Sequence, residues 1–482
     1  MKKLIVMLLA CALVLSMGAG FVFAGEADQA AADEMQALID AIYVQERTED
    51  TDAQIEAAKA AWDALTDEQK ELVEDADYFG RDTGDAAQDD PRNQDEIGEK
   101  ELLVVSFGTS FNDSRAADIK GIEDALAAAY PDWAVRRAFT AQIIINHIQA
   151  RDGEVIDNMT QALDRAVANG VKTLVVQPTH LMHGAEYDEM CEALEAYADQ
   201  IETIVVAEPL LGEVGSDATV INDDKAAVAQ YVTAAAVEAA GFESLEAAAE
   251  AGVAFVFMGH GTAHTAKVTY SQMNTMMSEL GYANVFVGTV EGEPEETAAE
   301  EVIAKVKEGG YTKVILRPLM VVAGDHANND MADPEDEESW LSMFAAAGFD
   351  VECQISGLGR IPAVEDLYVA HTAAAMETLA GEAPAEEAPA EEAAAADSTY
   401  TQTKVFDGTY GFGDAEITAC TNDDFTAFLL TWEAFDEDQV LEGTVDDGIV
   451  TVDYDETGFM TGDAQLIWDD AVASETPWEP LP

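Results

Sequence analysis

The residue types best suited to chemistry in this chain are its histidines. All seven, His147, His180, His183, His260, His264, His326 and His371, fall between residues 101 and 379. Imidazole carries protons near neutral pH and ligates metals, so their placement matters more than their number. His260 stands between Gly259 and Gly261 after the apolar run 253–258. Glycines there let backbone come close to a ligand while the ring is presented at a strand end. His326 follows another apolar run through Val322-Ala323-Gly324-Asp325, and Glu291 follows a third, residues 286–290. Two imidazoles and one carboxylate at three strand ends form a donor set found in catalytic metal sites that keep a coordination position open. The spacing alone is too long to be a motif. His147 and His371 lie in helical text and read as structural residues.

To bring such residues together the chain needs elements that end at one place. Candidate strands are residues 102–107, 173–177, 203–207, 253–258, 285–290 and 313–319, each short and nearly all apolar, as strands covered on both faces should be. Amphipathic helical stretches alternate with them, the pattern of parallel sheets with crossover helices. The text also echoes itself. Leu102-Leu103-Val104-Val105-Ser106-Phe107-Gly108-Thr109 parallels the stretch 253–262, and Val175-Val176-Gln177-Pro178, leading to His180 and Gly184, parallels Ile315-Leu316-Arg317-Pro318, leading to Gly324 and His326. The expected fold class is therefore α/β, with two similar halves whose parallel sheets face a cleft. Ligands in such sheets sit at the carboxyl ends of the strands.

Around this middle domain, expected at residues 99–380 with halves of about 99–215 and 250–380, the text changes character. Met1-Lys2-Lys3, the apolar run 4–15 and small residues up to Ala24 read as a secretory signal peptide of residues 1–24, which implies an exported, periplasmic or cell-surface protein. Residues 25–98 read as an acidic helical module with apolar positions at helical spacing, Ile55, Ala58, Trp62, Leu65, Leu72 and Val73, an N-cap at Thr66, and a polar linker from about Gly80 to Asn93. Residues 381–399 are an Ala/Glu/Pro tether. Residues 400–482 suggest a small antiparallel β module with a turn at Asp446-Asp447-Gly448. These terminal modules suggest cell-surface association, and no job is assigned to the last one. The balance of 96 acidic against 23 basic residues, a formal net charge of −73, excludes nucleic acid as a partner class on simple repulsion. Cys191, Cys353 and Cys420, widely spaced, make neither a disulfide framework nor a thiolate zinc site.

A set of segments then resembles a known family. Leu103-Val104-Val105-Ser106-Phe107-Gly108-Thr109-Ser110, Arg137-Ala138-Phe139-Thr140, Gln149-Ala150-Arg151-Asp152-Gly153, Met258-Gly259-His260-Gly261, Val287-Gly288-Thr289-Val290-Glu291, the long run from Pro318 through Gly324-Asp325-His326-Ala327-Asn328-Asn329-Asp330-Met331-Ala332, and Ser356-Gly357-Leu358-Gly359 look like the anaerobic sirohydrochlorin cobaltochelatases of the CbiK type, in that family's order. The likeness spans residues 101–379. It implies two Rossmann-like halves, a tetrapyrrole cleft between them, and a metal held by His260, Glu291 and His326. The activity it implies is insertion of Co²⁺, with Fe²⁺ or Ni²⁺ as alternatives, into a sirohydrochlorin-type tetrapyrrole during anaerobic cobalamin biosynthesis.

The residue types suit that chemistry. Metallation strips water from the cation and removes two pyrrole N–H protons, and a neutral imidazole can serve both steps. His260 is the expected ligand and base, with Glu291 sharing the catalytic role and His326 completing the metal set. Thr109, Ser110 and His180 are the expected tetrapyrrole contacts. Arg115, Arg136 and Arg137 either clamp the substrate's carboxylates or pair with neighbouring acids. Export strains the enzyme reading, and the competing expectation is an extracytoplasmic carrier of metal, haem or another tetrapyrrole without turnover. The sequence leaves the oligomeric state open.

Overall fold

The structure, a computed structural model, describes residues 21–381 and the strands within residues 408–480. Residues 1–20 of the expected signal peptide (1–24) and residues 382–399 of the expected tether (381–399) lie outside the described residues. The chain divides into two compact units, Met1–Pro384 and Ala385–Pro482.

In the first unit, β1 (Lys100–Ser106), β2 (Ala134–Phe139), β3 (Thr173–Pro178) and β4 (Thr203–Val206) form a parallel sheet in the order β2-β1-β3-β4. A second parallel sheet joins β5 (Val253–Gly259), β6 (Val285–Thr289), β7 (Lys313–Pro318) and β8 (Asp350–Cys353) in the order β6-β5-β7-β8. The orders match strand for strand, which is the structural counterpart of the echo in the sequence. Alternation explains why the strands read as continuous apolar text. Leu102 and Val104 join Phe255 and Phe257 in one core shared by both halves, while Leu103 and Val105, and Ala254 and Val256, turn to separate cores on the opposite faces. The helix Pro362–Gly381, at the end of the second half, ties the halves together. Its Tyr368 hydroxyl donates to the Thr179 carbonyl at 3.0 Å, and Thr372 bonds Gln177 at 2.7 Å.

The N-terminal helices belong to the same compact unit. Phe21–Ile42 and Thr51–Ala64 bury Ile39, Ile42, Ile55 and Ala58 together with Ala150 of the helix Gln142–Asp152. Thr66 caps as expected, in a capping box with Gln69, but the helix it starts, Asp67–Lys70, is a single turn. The polar stretch expected as a linker is bound down instead. The Asp89 carboxylate is fully buried between Arg115 and Arg137, and Asp113 N–H donates to the Thr83 carbonyl at 2.8 Å. Polarity here reflects a charge cluster, not a free tether.

The second unit is a six-stranded antiparallel sheet. Its strands β9 (Gly408–Phe412), β10 (Ala415–Thr421), β11 (Ala427–Ala434), β12 (Glu437–Asp446), β13 (Ile449–Val452) and β14 (Glu479–Pro480) run in the order β13-β12-β11-β10-β9-β14. Asp446 pairs with Ile449 across β12 and β13, while Asp447 and Gly448 of the turn expected at Asp446-Asp447-Gly448 lie outside the described residues.

Candidate active site

The loops following β1, β3, β5, β6 and β7 line one cleft of about 1610 Å³. In each sheet the chain reverses its direction of winding between the first and third strands, and the cleft lies at their carboxyl ends. Thr109, Ser110, His180, His260, Glu291 and His326 all line it.

His260 is fixed by its neighbours' backbone. Its Nδ1 lies 2.7 Å from the Gly261 carbonyl, an acceptor, so the ring proton sits on Nδ1 and Nε2 keeps its lone pair. Gly261 must be glycine. Its φ is +94°, and a Cβ there would lie 2.8 Å from the Glu291 Cβ. Its N–H donates to the Tyr270 hydroxyl at 3.2 Å, and Glu291 N–H donates to the His260 carbonyl at 2.9 Å. Those bonds zip the loops after β5 and β6 together and set His260 and Glu291 side by side.

His326 arrives from the loop after β7, and its ring meets His260 edge to face, centroids 4.5 Å apart and planes at 79°. Its Nδ1 is 2.8 Å from Asp330 Oδ2, which again leaves Nε2 as the available nitrogen. The Asp330 hydrogen bond raises the His326 pKa, burial opposes it, and the charges of Asp330, Asp325 and Glu291 add to the rise. The Glu291 charge thus reaches His326. Among the described residues no three His, Cys, Asp or Glu side chains are gathered tightly enough to hold a metal ion. The two imidazoles are already paired, and a cation held between them would require Glu291 to close in.

Across the cleft, Thr109 Oγ1 accepts the Phe111 N–H at 3.2 Å, and the Ser110 carbonyl accepts from Arg151 at 2.5 Å. A Cβ on Gly324 would fall 2.7 Å from Thr109 Oγ1, so this glycine sets how closely the halves approach. Both ring nitrogens of His180 are buried without a partner, and burial pushes its pKa down to about 4. It is a neutral imidazole in the lining of the cleft.

The remaining histidines are engaged elsewhere. His147 stacks on Tyr78 with centroids 3.9 Å apart, and His371 bonds Asp224 and the Glu208 carbonyl, the structural roles expected of both. His183 pairs with Glu208 and His264 with Asp188.

Of the two roles left open for the arginines, the structure selects pairing. Arg115, Arg136 and Arg137 are fully buried. Arg136 holds Glu101 and Asp157, Arg137 holds Glu123 and Asp89, and Arg115 holds Asp89 and Glu154. None of the three lines the cleft.

Three supporting residues escaped the sequence reading. Asp330 had a signal, since it lies four residues beyond His326 and faces it across one helical turn. Tyr270, which anchors Gly261, had none. Neither did Asp118, whose Oδ2 accepts the Ala323 N–H at 3.0 Å from 205 residues away. The glycines of Ser356-Gly357-Leu358-Gly359 make room for it, because a Cβ on Gly357 would lie 2.5 Å from Asp118 Oδ2.

Comparison with known proteins agrees with this architecture. The family model described as cobalt chelatase (CbiK) matches residues 100–377. The sirohydrochlorin cobaltochelatase of Salmonella typhimurium is 36% identical over 284 residues, which cover 59% of this chain and 99% of that protein. The sirohydrochlorin cobaltochelatase CbiKC of Nitratidesulfovibrio vulgaris is 27% identical over 291 residues, covering 60% of this chain and 95% of the relative. Among solved structures, SirB from Bacillus subtilis with Fe³⁺ aligns with a TM-score of 0.40 at 12% identity, over 59% of this chain and 98% of SirB. With its two matched parallel sheets and the family match running through every strand of both, the chain belongs to the CbiK cobalt chelatase family, whose members are metal chelatases.

Proposed function

We propose that this chelatase inserts Co²⁺ into a sirohydrochlorin-type tetrapyrrole, as the names of its relatives say of them, and that His260, Glu291 and His326 receive the incoming cation. The observation that carries the reading is the imidazole pair. Both rings line the cleft with Nδ1 committed to an acceptor, so both offer Nε2, from rings whose centroids lie 4.5 Å apart. Neutral imidazole nitrogen suits Co²⁺, but so it does Fe²⁺, Ni²⁺ and Cu²⁺, so affinity alone does not select cobalt.

The cation is substrate here, and the site must release it. Two imidazoles and a carboxylate standing off from them give a hold weaker than a closed four-ligand cage. As the metal passes to the macrocycle, His260 Nε2 is freed and accepts a pyrrole proton, with Glu291 beside it to stabilise the imidazolium. His180, kept neutral by burial, lines the opposite wall, where it is suited to hydrogen-bonding a pyrrole N–H and not to taking its proton. In this reading metal and tetrapyrrole meet across the cleft from its two facing halves.

We further propose that the protein works outside the cytoplasm after cleavage behind Ala24. N-terminal sequencing of protein recovered from outside the cytoplasm should begin at Gly25. Retention of the uncleaved chain in the cytoplasm would overturn that part.

The activity test mixes the protein anaerobically with sirohydrochlorin and Co²⁺ and follows the absorbance of the metallated product. Metallation above the spontaneous rate, lost in His260→Ala, is the expected result. A rate equal to the spontaneous one, or unchanged in the variant, would sink the reading, and tight binding without turnover would favour a carrier.

A further inference from the structure

One wall of the cleft comes from outside the family match. The match begins at residue 100, and 284 residues of this chain, 59% of it, suffice to cover 99% of the Salmonella relative. Yet Tyr78, Arg81 and Thr83 line the same cleft as His260 and His326. The segment carrying them is strapped across both halves. The Tyr78 carbonyl accepts from His147 Nε2 at 2.5 Å while its ring stacks on that imidazole at 13°. The Arg81 guanidinium lies over the Phe111 ring, 5.0 Å from its centre, and Nη1 donates to Asn329 Oδ1 at 2.8 Å. Phe111 follows β1 in the first half, and Asn329 lies three residues past His326 in the second.

This strap leaves buried polar groups without partners on residues that line the cleft. Tyr78 and Thr83 are each 8% exposed, and the Tyr78 hydroxyl and Thr83 Oγ1 have no hydrogen-bond partner. Arg151 Nη1 and both nitrogens of His180, also in the lining, lack partners too. An unpaired buried polar group is costly, so folded proteins keep few of them. Their gathering around one cleft says that something polar belongs there. The partner chemistry follows from the donors. Tyr78 and Thr83 offer hydroxyl protons, and Arg81 and Arg151 are the arginines of the lining in a chain with only 23 basic residues. Hydroxyls and guanidinium together suit a carboxylate. Glu74, Asp75 and Asp77 of the same segment also border the cleft, but they are solvent-exposed, where water screens their repulsion.

We infer that the strap from Tyr78 to Thr83 is a substrate-recognition element particular to this chain, in which Arg81, with the Tyr78 and Thr83 hydroxyls, binds a peripheral carboxylate of the tetrapyrrole. The inference rests on the tetrapyrrole reading of the cleft given above. It adds a specificity determinant that members of the family lacking the segment would not have.

The test uses the full chain and measures binding of metal-free sirohydrochlorin by fluorescence, alongside metallation kinetics. The same binding is measured with sirohydrochlorin whose carboxylates are methyl esters. Arg81→Ala and Tyr78→Phe, the second of which keeps the stack on His147, should each raise the Kd and KM for the free acid about tenfold while kcat stays within about twofold. Arg81→Lys should recover part of the loss. For the ester, wild type and variants should bind alike, whereas a loosened cleft would weaken both ligands equally. Unchanged Kd for the free acid in both variants, or equal losses for acid and ester, would overturn the inference. If the wild type binds sirohydrochlorin without metallating it, the chelatase reading fails and the strap is still judged by the variants. If the wild type metallates and the variants bind normally, only the strap inference fails. No binding of sirohydrochlorin by the wild type would sink both.

Discussion

Asp118, in the first half, grips the peptide of Ala323, in the second: its Oδ2 accepts the Ala323 N–H at 3.0 Å, while Arg360 Nε holds Oδ1 at 2.5 Å. Ser114 Oγ donates to the Ala323 carbonyl at 2.6 Å, so the peptide is held on both sides. Ala323 lies three residues ahead of His326. The first half thus sets the position of His326 on the second, the histidine proposed above to receive the cation. A displacement of about 1 Å in such a group is enough to slow a reaction markedly.

Asp118→Ala should therefore reduce activity although Asp118 is not placed against substrate. Its carboxylate is buried, and removing it also leaves Arg360 and the Ala323 N–H without their partner, so stability should fall by about 3–5 kcal/mol. Asp118→Asn keeps an acceptor for Ala323 and should lose less activity than stability. Denaturant unfolding and metallation rates of the two variants, measured side by side, check this. Equal activity in Asp118→Ala and wild type would show that the Ala323 peptide holds its place alone.

The His326–Asp330 pair gives the pH dependence a sign. Because the Asp330 hydrogen bond raises the His326 pKa above the ordinary imidazole value of about 6.5, His326 holds its proton to a higher pH than a free imidazole. Co²⁺ must displace that proton, so affinity should rise as pH climbs through the raised pKa and fall below it. In Asp330→Asn the carboxylate is gone, and the acid limb of Co²⁺ binding should move to lower pH. Above that limb, affinity should drop about 10–100-fold, because the ring loses its orienting partner and some basicity. Calorimetric titration with Co²⁺ from pH 5.5 to 8.5 reads both effects.

How far the sequence disclosed this arrangement depends on where charge sits. Six strands were legible as short apolar runs because both of their faces are covered. β2 was not, since Arg136 and Arg137 interrupt it, and β8 was not, since Asp350 and Glu352 alternate with its apolar residues. Apolar patterning misses a strand whose charges are neutralised by residues distant in sequence. His260 was legible because its flanking glycines report backbone constraints, and Gly261 does adopt a positive φ. Arg115 and Arg137 stayed ambiguous in the sequence for the same reason that β2 was hidden. Their partner Asp89 lies in text that reads as a linker, and only the fold reveals the cluster they form.

That cluster predicts a pure stability phenotype. Arg137 binds Glu123 at 2.7 Å and Asp89 at 2.7 Å, all three side chains fully buried. Burial pushes the Asp89 pKa up, but Arg137 and Arg115 outweigh it and hold the carboxyl below its usual range. Arg137→Ala would leave Asp89 with Arg115 alone and Glu123 with Arg92 alone, each short of one buried partner, and should cost about 3 kcal/mol. Asp89 keeps its stabilising ionised form above its unfolded pKa of about 3.9, so the Asp89 part of the wild-type advantage should fade only as pH falls below that value. Thermal melts at pH 7 check the loss, and the KM for tetrapyrrole, measured below the melt, should not change, because Arg137 does not line the cleft. A raised KM with normal stability would return this arginine to substrate recognition.

Two glycines separate the geometry of the site from the general cost of a left-handed residue. Gly153 and Gly261 both have positive φ, 75° and 94°. A Cβ at Gly153 meets nothing within 4 Å, whereas one at Gly261 lies 2.8 Å from the Glu291 Cβ and 3.2 Å from the Thr289 Cβ. Gly153→Ala should cost about 1–2 kcal/mol of stability from backbone strain and leave metallation intact. Gly261→Ala carries the same strain and must also push Glu291 away from His260, or break the bond from the Gly261 N–H to Tyr270. Metallation should fall at least about tenfold, and Co²⁺ affinity should fall with it. If instead the two alanines lower stability alike and leave Co²⁺ binding alike, Glu291 tolerates displacement and is not a ligand.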